Sequence, residues 1–272
     1  NLYKLNIDKS DSSSSVTMLL TANFNGNSID NLDGEIKVLN STFRKFNNNL
    51  DIYDFTINTT NRNNLSSITL RTDFIDANLN GLYNFSDIGK IVETKLWKLM
   101  PAKFEAPKKE ADPKSNNFNF DIRFKNTDKL NKFLKTGISL SENSVIKGSV
   151  LADSIISVSA NAKLLAFKNI VFNDLTVEGN TVDSVSNLDI KSSSLNLTGI
   201  SELKDLALSF SSVPNNFRFL IDWDNKEKVV NKGTFITEGV FEKKSEGQKN
   251  TLLRLGLLPA EIYVRDTIWK IN

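Results

Sequence analysis

Hydrophobic and polar residues alternate along most of this chain with a period of two. Met18, Leu20, Ala22 and Phe24 fall on one face while Thr17, Leu19, Thr21 and Asn23 fall on the other, the pattern of a half-buried β-strand. The strongest alternation sets Phe118, Phe120, Ile122 and Phe124 against Asn119, Asp121 and Arg123. Short strands are also predicted at 50–52, 55–57 and 65–70, spaced by turn residues at the roughly 8- to 12-residue cadence of consecutive antiparallel strands.

Helical spacing is convincing once, where Ile88, Ile91, Val92, Lys95, Leu96 and Leu99 share one side of a predicted helix near 87–100. Ser86 is placed to cap it, Asp87 suits its positive end and Pro101 stops it. A short helix is predicted near 127–135, burying Leu130, Phe133 and Leu134. Between the two, Pro107, Pro113 and Lys108-Lys109-Glu110 break all periodicity. The expected division is a β segment ending in a helix at 1–100, a charged linker at 101–117 and a second β segment at 118–272.

The second half holds a loose repeat: Asp174-Leu175-Thr176-Val177, Asn187-Leu188-Asp189-Ile190 and Asp205-Leu206-Ala207-Leu208, with Asp54-Phe55-Thr56-Ile57 as a counterpart in the first half. Each reads as a strand start, a polar turn residue followed by two apolar positions around a spacer. Without a fixed period, such units suggest rungs of one long sheet. Strands apolar on one face only require a cover on that face. With almost no helix to supply it, the cover is the sheet folded on itself or a ligand.

Composition removes several classes of function. The 34 basic and 32 acidic residues nearly cancel, and no basic run is interleaved with aromatics, so a nucleic-acid partner is not expected. No apolar run reaches the roughly 18 residues that span a bilayer. The chain has no Cys and no His, which removes disulfides, thiolate nucleophiles and the usual zinc ligands and general base. No metal and no cofactor are expected. Beginning at Asn1 without a leader pattern, the chain is expected to be a piece of a longer protein.

Catalytic motifs are sparse. No two of the 12 glycines lie closer than six residues, so dinucleotide and phosphate-loop motifs are absent. Ser144–Lys147 and Ser201–Lys204 match S-x-x-K, but in strand-like context, where positions i and i+3 face opposite ways. Asp222 and Asp224 flank Trp223, and Asp73 and Asp76 flank Phe74-Ile75; a carbohydrate-active enzyme needs such a carboxylate pair, yet nothing selects two of them over solvated turn acids. The chain is read as not an enzyme.

Several segments, taken in order, carry a family resemblance. Asn31-Leu32-Asp33-Gly34-Glu35-Ile36 resembles a recurring "nlDGxI" turn and strand. The stretch from Asp73 to Phe85 resembles an "S-D-F-x-D-A-x-x-x-G-x-Y-x-F" passage, followed as here by a helix, a proline and a charged linker. Asn117 to Leu134 resembles an "F-x-F-x-I-x-x-K-N-T-x-x-L" restart, and Leu258 to Ile271 resembles an "lPSxIxIxDxxWxI" strand pair, with Ala260 in place of the Ser. Together these are similar to the TamB family of envelope proteins, in particular its Bacteroidetes members, related to AsmA-like and bridge-like lipid-transfer proteins.

The resemblance implies a mainly β fold, an elongated, curved antiparallel sheet of β-taco type with an apolar inner face. It implies an internal section of a periplasmic protein, anchored in the inner membrane through a segment absent from this chain. The implied role is phospholipid transport between inner and outer membranes, outer-membrane protein assembly, or both, with acyl chains and assembly proteins as partners. The candidate groove residues are Leu20, Ala22 and Phe24; Phe118, Phe120, Ile122 and Phe124; Leu175 and Val177; Leu188 and Ile190; Leu206 and Leu208; and Phe217, Phe219 and Ile221. The alternative expectation is a structural or adhesive β module of the cell surface, in which these residues close a dry core.

Overall fold

The computed structural model describes the chain except residues 2, 5, 7, 8, 47, 63–64, 109–115, 152–154, 198–201 and 244–250. The middle of the expected linker and Ser201 lie outside the described residues. All seventeen described strands belong to one antiparallel sheet, which curves but stays open rather than closing into a barrel.

Strands β1 (Ser15–Asn25), β2 (Asp33–Lys45), β3 (Asn48–Arg62), β4 (Leu65–Thr72) and β5 (Ile75–Leu82) form a meander, each pairing with the next. After helix α1 (Phe85–Leu99), β6 (Asn117–Phe124) returns to pair with β5, so the sheet runs uninterrupted past the expected linker. Helix α2 (Asp128–Leu134) and the short β7 (Ile138–Leu140) precede β8 (Val145–Leu151), which pairs with β6. β9 (Ile155–Phe167) pairs with β8 along one half and β7 along the other.

The meander continues through β10 (Ile170–Val182), β11 (Val185–Leu197), β12 (Leu203–Val213), β13 (Asn216–Asp224) and β14 (Lys232–Glu242). β15 (Leu252–Leu257) and β16 (Ala260–Val264) lie end to end along β14, and β17 (Thr267–Ile271) folds back on β16. That last hairpin is the expected terminal strand pair.

The strands are longer than alternation suggested, because several cross a kink. Residues 50–52 and 55–57 are both inside the 15-residue β3. Asp174 and Asp205, read as strand starts, sit inside β10 and β12 in the left-handed region, at φ 46° and 45°. Asn40 in β2 does the same at φ 46°. Cross-strand pairing skips all three. Asp and Asn tolerate this conformation better than other side chains. Asn187, by contrast, pairs regularly with Asn180 and Ser211.

The kink shifts the strand's phase by one residue. Phe172 and Leu203 stand three positions before Leu175 and Leu206, an odd spacing that would put them on the opposite face of a regular strand. Yet Phe172, Leu195 and Leu203 pack against Leu206, together with Trp223 and Ile262. A one-residue slip flips every later side chain, and here it keeps apolar residues on one face past the kink. Serine hydroxyls hold the disturbed backbone: Ser192 Oγ donates to Asn173 O at 2.6 Å and Ser194 O at 2.8 Å.

α1 is capped by Asn84, whose side chain accepts from Ser86 N, so the cap lies two residues before the expected Ser86. Its buried side is Asp87, Ile91, Thr94 and Lys95. Val92, expected on that side, is 50% exposed. The rotation follows from the anchors: Phe85 N donates to Asp30 Oδ1 at 2.7 Å, Lys95 Nζ to Asp183 O at 3.3 Å, and Asn215 N to Leu99 O at 2.7 Å. The helix thus follows one rim of the sheet from the end of β5 to the β12–β13 turn. Fifteen helical residues span about 22 Å, whereas six strand spacings from β5 to β12 measure about 29 Å along a flat sheet. The rim is therefore curled. Leu99 and Met100 line a small pocket with Phe210, Phe217 and Phe241, so the end of the helix lies on the apolar side of that curl. α2 buries no residue, and Leu134 is 57% exposed where burial was expected, because the helix rests against little more than parts of β3 and β7.

Candidate lipid-binding face

Paired residues of an antiparallel sheet point to the same side, so the register alone assigns faces. One row runs Ala22, Ile36, Ile57, Leu70, Ala77, Ile122, Ile146, Ala160, Val177, Ile190, Leu208, Ile221 and Phe235. It crosses every strand from β1 to β14 except the short β7, and no charged residue occurs in it.

All sixteen groove candidates share that face. Leu20, Ala22 and Phe24 lie on β1, opposite Val38, Ile36 and Gly34. Phe118, Phe120, Ile122 and Phe124 lie on β6, the first three opposite Gly81, Leu79 and Ala77. Leu175 and Val177 face Ala162 and Ala160, while Leu188 and Ile190 face Phe210 and Leu208. Leu206 faces Ser192, and Phe217, Phe219 and Ile221 face Ser212, Phe210 and Leu208.

Burial along the face is uneven. Leu206, Phe118 and Leu175 are 2%, 7% and 8% exposed, whereas Leu20 and Phe24 on the edge strand are 55% and 45% exposed. Phe120, Ile122, Phe124, Val177, Leu188, Ile190, Leu208, Phe217, Phe219 and Ile221 are half-buried. The hydrophobics packed around the Leu206, Trp223 and Ile262 cluster all come from β10 to β17.

Three rings on this face lie against glycines: Phe120 on Gly148, Phe217 on Gly239 and Trp223 on Gly233 are register partners. A Cβ at those glycines would stand 2.5, 2.1 and 2.5 Å from the ring. The absence of a side chain lets each ring lie down on the sheet, as aromatic–glycine cross-strand pairs do. Trp223, notable in sequence only for its flanking acids, is 6% exposed, and its Nε1 donates to Asn231 Oδ1. Phe55, Ile68, Val158, Phe210 and Phe235 also belong to the face. All but Phe235, which Ile236 follows, alternate with polar neighbours, but only the register shows that they continue the same face.

The opposite face holds the strand ion pairs Lys147–Asp121, Arg218–Glu238, Arg254–Glu242 and Lys270–Glu261. A hollow of about 710 Å³ lies on that polar face across β5 to β11.

The other sequence candidates have structural partners. Ser144 is buried and donates to Ser141 O at 2.6 Å, while Lys147 is exposed and reaches Asp121, so the pair is not a nucleophile and its base. Asp222 accepts from Thr234 and Asp224 from Lys226 N. Asp73 accepts from Tyr53 N, and Asp76 pairs with Lys125 at 2.7 Å. Among the described residues no group of His, Cys, Asp and Glu is placed to hold a metal ion. Burial, and then the charge of Asp30, raise the Tyr83 phenol above its usual value.

Neither a family model, a curated protein nor a solved structure matches the chain.

Proposed function

We propose that this chain is a lipid-handling segment of a TamB-like protein, presenting its apolar face as a groove along which acyl chains move while headgroups stay hydrated. The observation that carries the reading is an uncharged row crossing an open sheet whose side chains are mostly half-buried. A dry core would show fuller burial; here ten hydrophobic residues are buried among those described, and of these only Leu206 completely.

Fourteen strand pairings lead from β1 to β17, about 65 Å of sheet at ~4.8 Å per step. That is twice a bilayer's hydrocarbon thickness of about 30 Å. Each sheltered methylene contributes about 0.8 kcal/mol. A tail covered over a few methylenes is held by several kcal/mol, and by repetition of similar contacts rather than by any one of them. Non-directional attraction to a periodic surface suits movement along it. The motif order supports a periplasmic setting, an inner-membrane anchor outside this chain, and phospholipid or outer-membrane assembly proteins as partners. The role is non-enzymatic.

Mass spectrometry of lipid extracted from protein purified without detergent tests the reading. Phospholipid bound to the wild type and lost from a folded Phe219→Asp variant supports the groove. A lipid-free, monodisperse, thermally stable wild type overturns it in favour of a structural β module.

A further inference from the structure

The hollow on the polar face is a trough between two in-register rows. One wall is Asn80, Asn119, Ser149, Ser157, Asn180 and Asn187, partners in sequence across β5, β6, β8, β9, β10 and β11. The other is Asp121, Lys147, Ser159, Glu178 and Asp189. The backbone of the row between them, Phe120 to Gly179, is the floor. The first wall carries only amides and hydroxyls, and its four Asn side chains are exposed. Among the described residues the side-chain amides of Asn80 and Asn119 make no hydrogen bond.

We propose that this trough binds an extended, β-linked polysaccharide. Four features fit that occupant. An amide offers two donors and an acceptor, and a hydroxyl offers both roles, which matches the mixed donor and acceptor edge of a pyranose. The repeat along the wall is one strand spacing, about 4.8 Å, close to the length of one pyranose unit in an extended chain. Six strands give a wall of about 24 Å, room for several units. Finally, the second wall mixes one cation with three anions, and the first is neutral, so the trough has no charge pattern to attract nucleic acid or an anionic headgroup. This site is on the opposite face from the lipid groove and does not depend on it.

The test uses the full chain labelled with 15N, titrated with cellohexaose and with the hexamer of N-acetylglucosamine, beside α-linked dextran of similar mass. Expected are fast-exchange shifts confined to β5–β11 with one or both β-linked probes, and little change with dextran, whose linkage does not extend. The double variant Asn119→Ala, Asn180→Ala alters exposed side chains only and should weaken binding about tenfold, the value of two ordinary hydrogen bonds. No shift at about 10 mM probe, a range far weaker than useful recognition, overturns the proposal. So does unchanged affinity in the double variant, or equal binding of dextran. The Phe219→Asp variant should bind the probes as the wild type does, so failure of the lipid reading leaves this result interpretable.

Discussion

Phe219→Asp separates a wettable groove from a dry core. Phe219 is half-buried on β13, between its register partners Phe210 and Thr237. Full burial of such a side chain is worth about 1.5–3 kcal/mol, so half of it is about 1–1.5 kcal/mol. An aspartate in an open groove stays hydrated and adds little further cost. The expected loss is about 1–2 kcal/mol, a fall of a few degrees in Tm for a chain of this size. Leu206→Asp is the internal comparison. Leu206 is 2% exposed and packed with Trp223 and Ile262, and a charge there should cost at least about 4 kcal/mol. Circular-dichroism melts of both variants, run beside lipid extraction, read the contrast. If Phe219→Asp unfolds the protein as Leu206→Asp does, the face is dry and the groove argument fails.

Gly148→Val would put a Cβ 2.5 Å from both Phe120 Cζ and Ser157 O; backbone cannot swing aside, so a loss of about 1–3 kcal/mol is expected in denaturant melts. Asp205 has φ 45°, and Asp205→Val should cost about 1–3 kcal/mol while Asp205→Gly is near neutral; equal effects would show that the kink is not set by backbone strain. The Tyr83 phenol is raised in the fold, and the unfolded group titrates near 10. Its contribution is therefore complete below about pH 10 and declines as pH rises through the higher folded value. Tyr83→Phe should remove that part of the alkaline slope in stability measured from pH 8 to 11.

Alternation was legible wherever a strand is regular. The Phe118–Phe124 and Phe217–Ile221 runs could be assigned a face from sequence because nothing interrupts their period of two. The kinks were not legible in the same way. Asp174-Leu175 and Asn187-Leu188 look alike in sequence, yet only Asp174 adopts positive φ, and the choice is made by pairing on both sides. Helix α1 shows a second limit. Its apolar stripe includes Val92, but hydrogen bonds to Asp30, Asp183 and Asn215 turn it so that Val92 is exposed while Asp87 and Thr94 are buried. Asp30 and Asp183 lie 55 and 88 residues from Phe85 and Lys95, and Asn215 is farther still from Leu99, beyond any local pattern. The polar trough has no sequence signature of its own, since its walls are single residues from six strands.

The open meander has a consequence for length. A barrel fixes its strand number when its last strand pairs with its first. Among the described residues β1 pairs only with β2 and β17 only with β16, and the extensive strand contacts are all between neighbours in the sheet. Stability in such an array is close to a sum of nearest-neighbour terms, as in solenoids. Strands can then be added or lost at either edge without repacking the interior, and the reach of the apolar surface can drift in evolution by hairpin duplication, at no cost to the part already built.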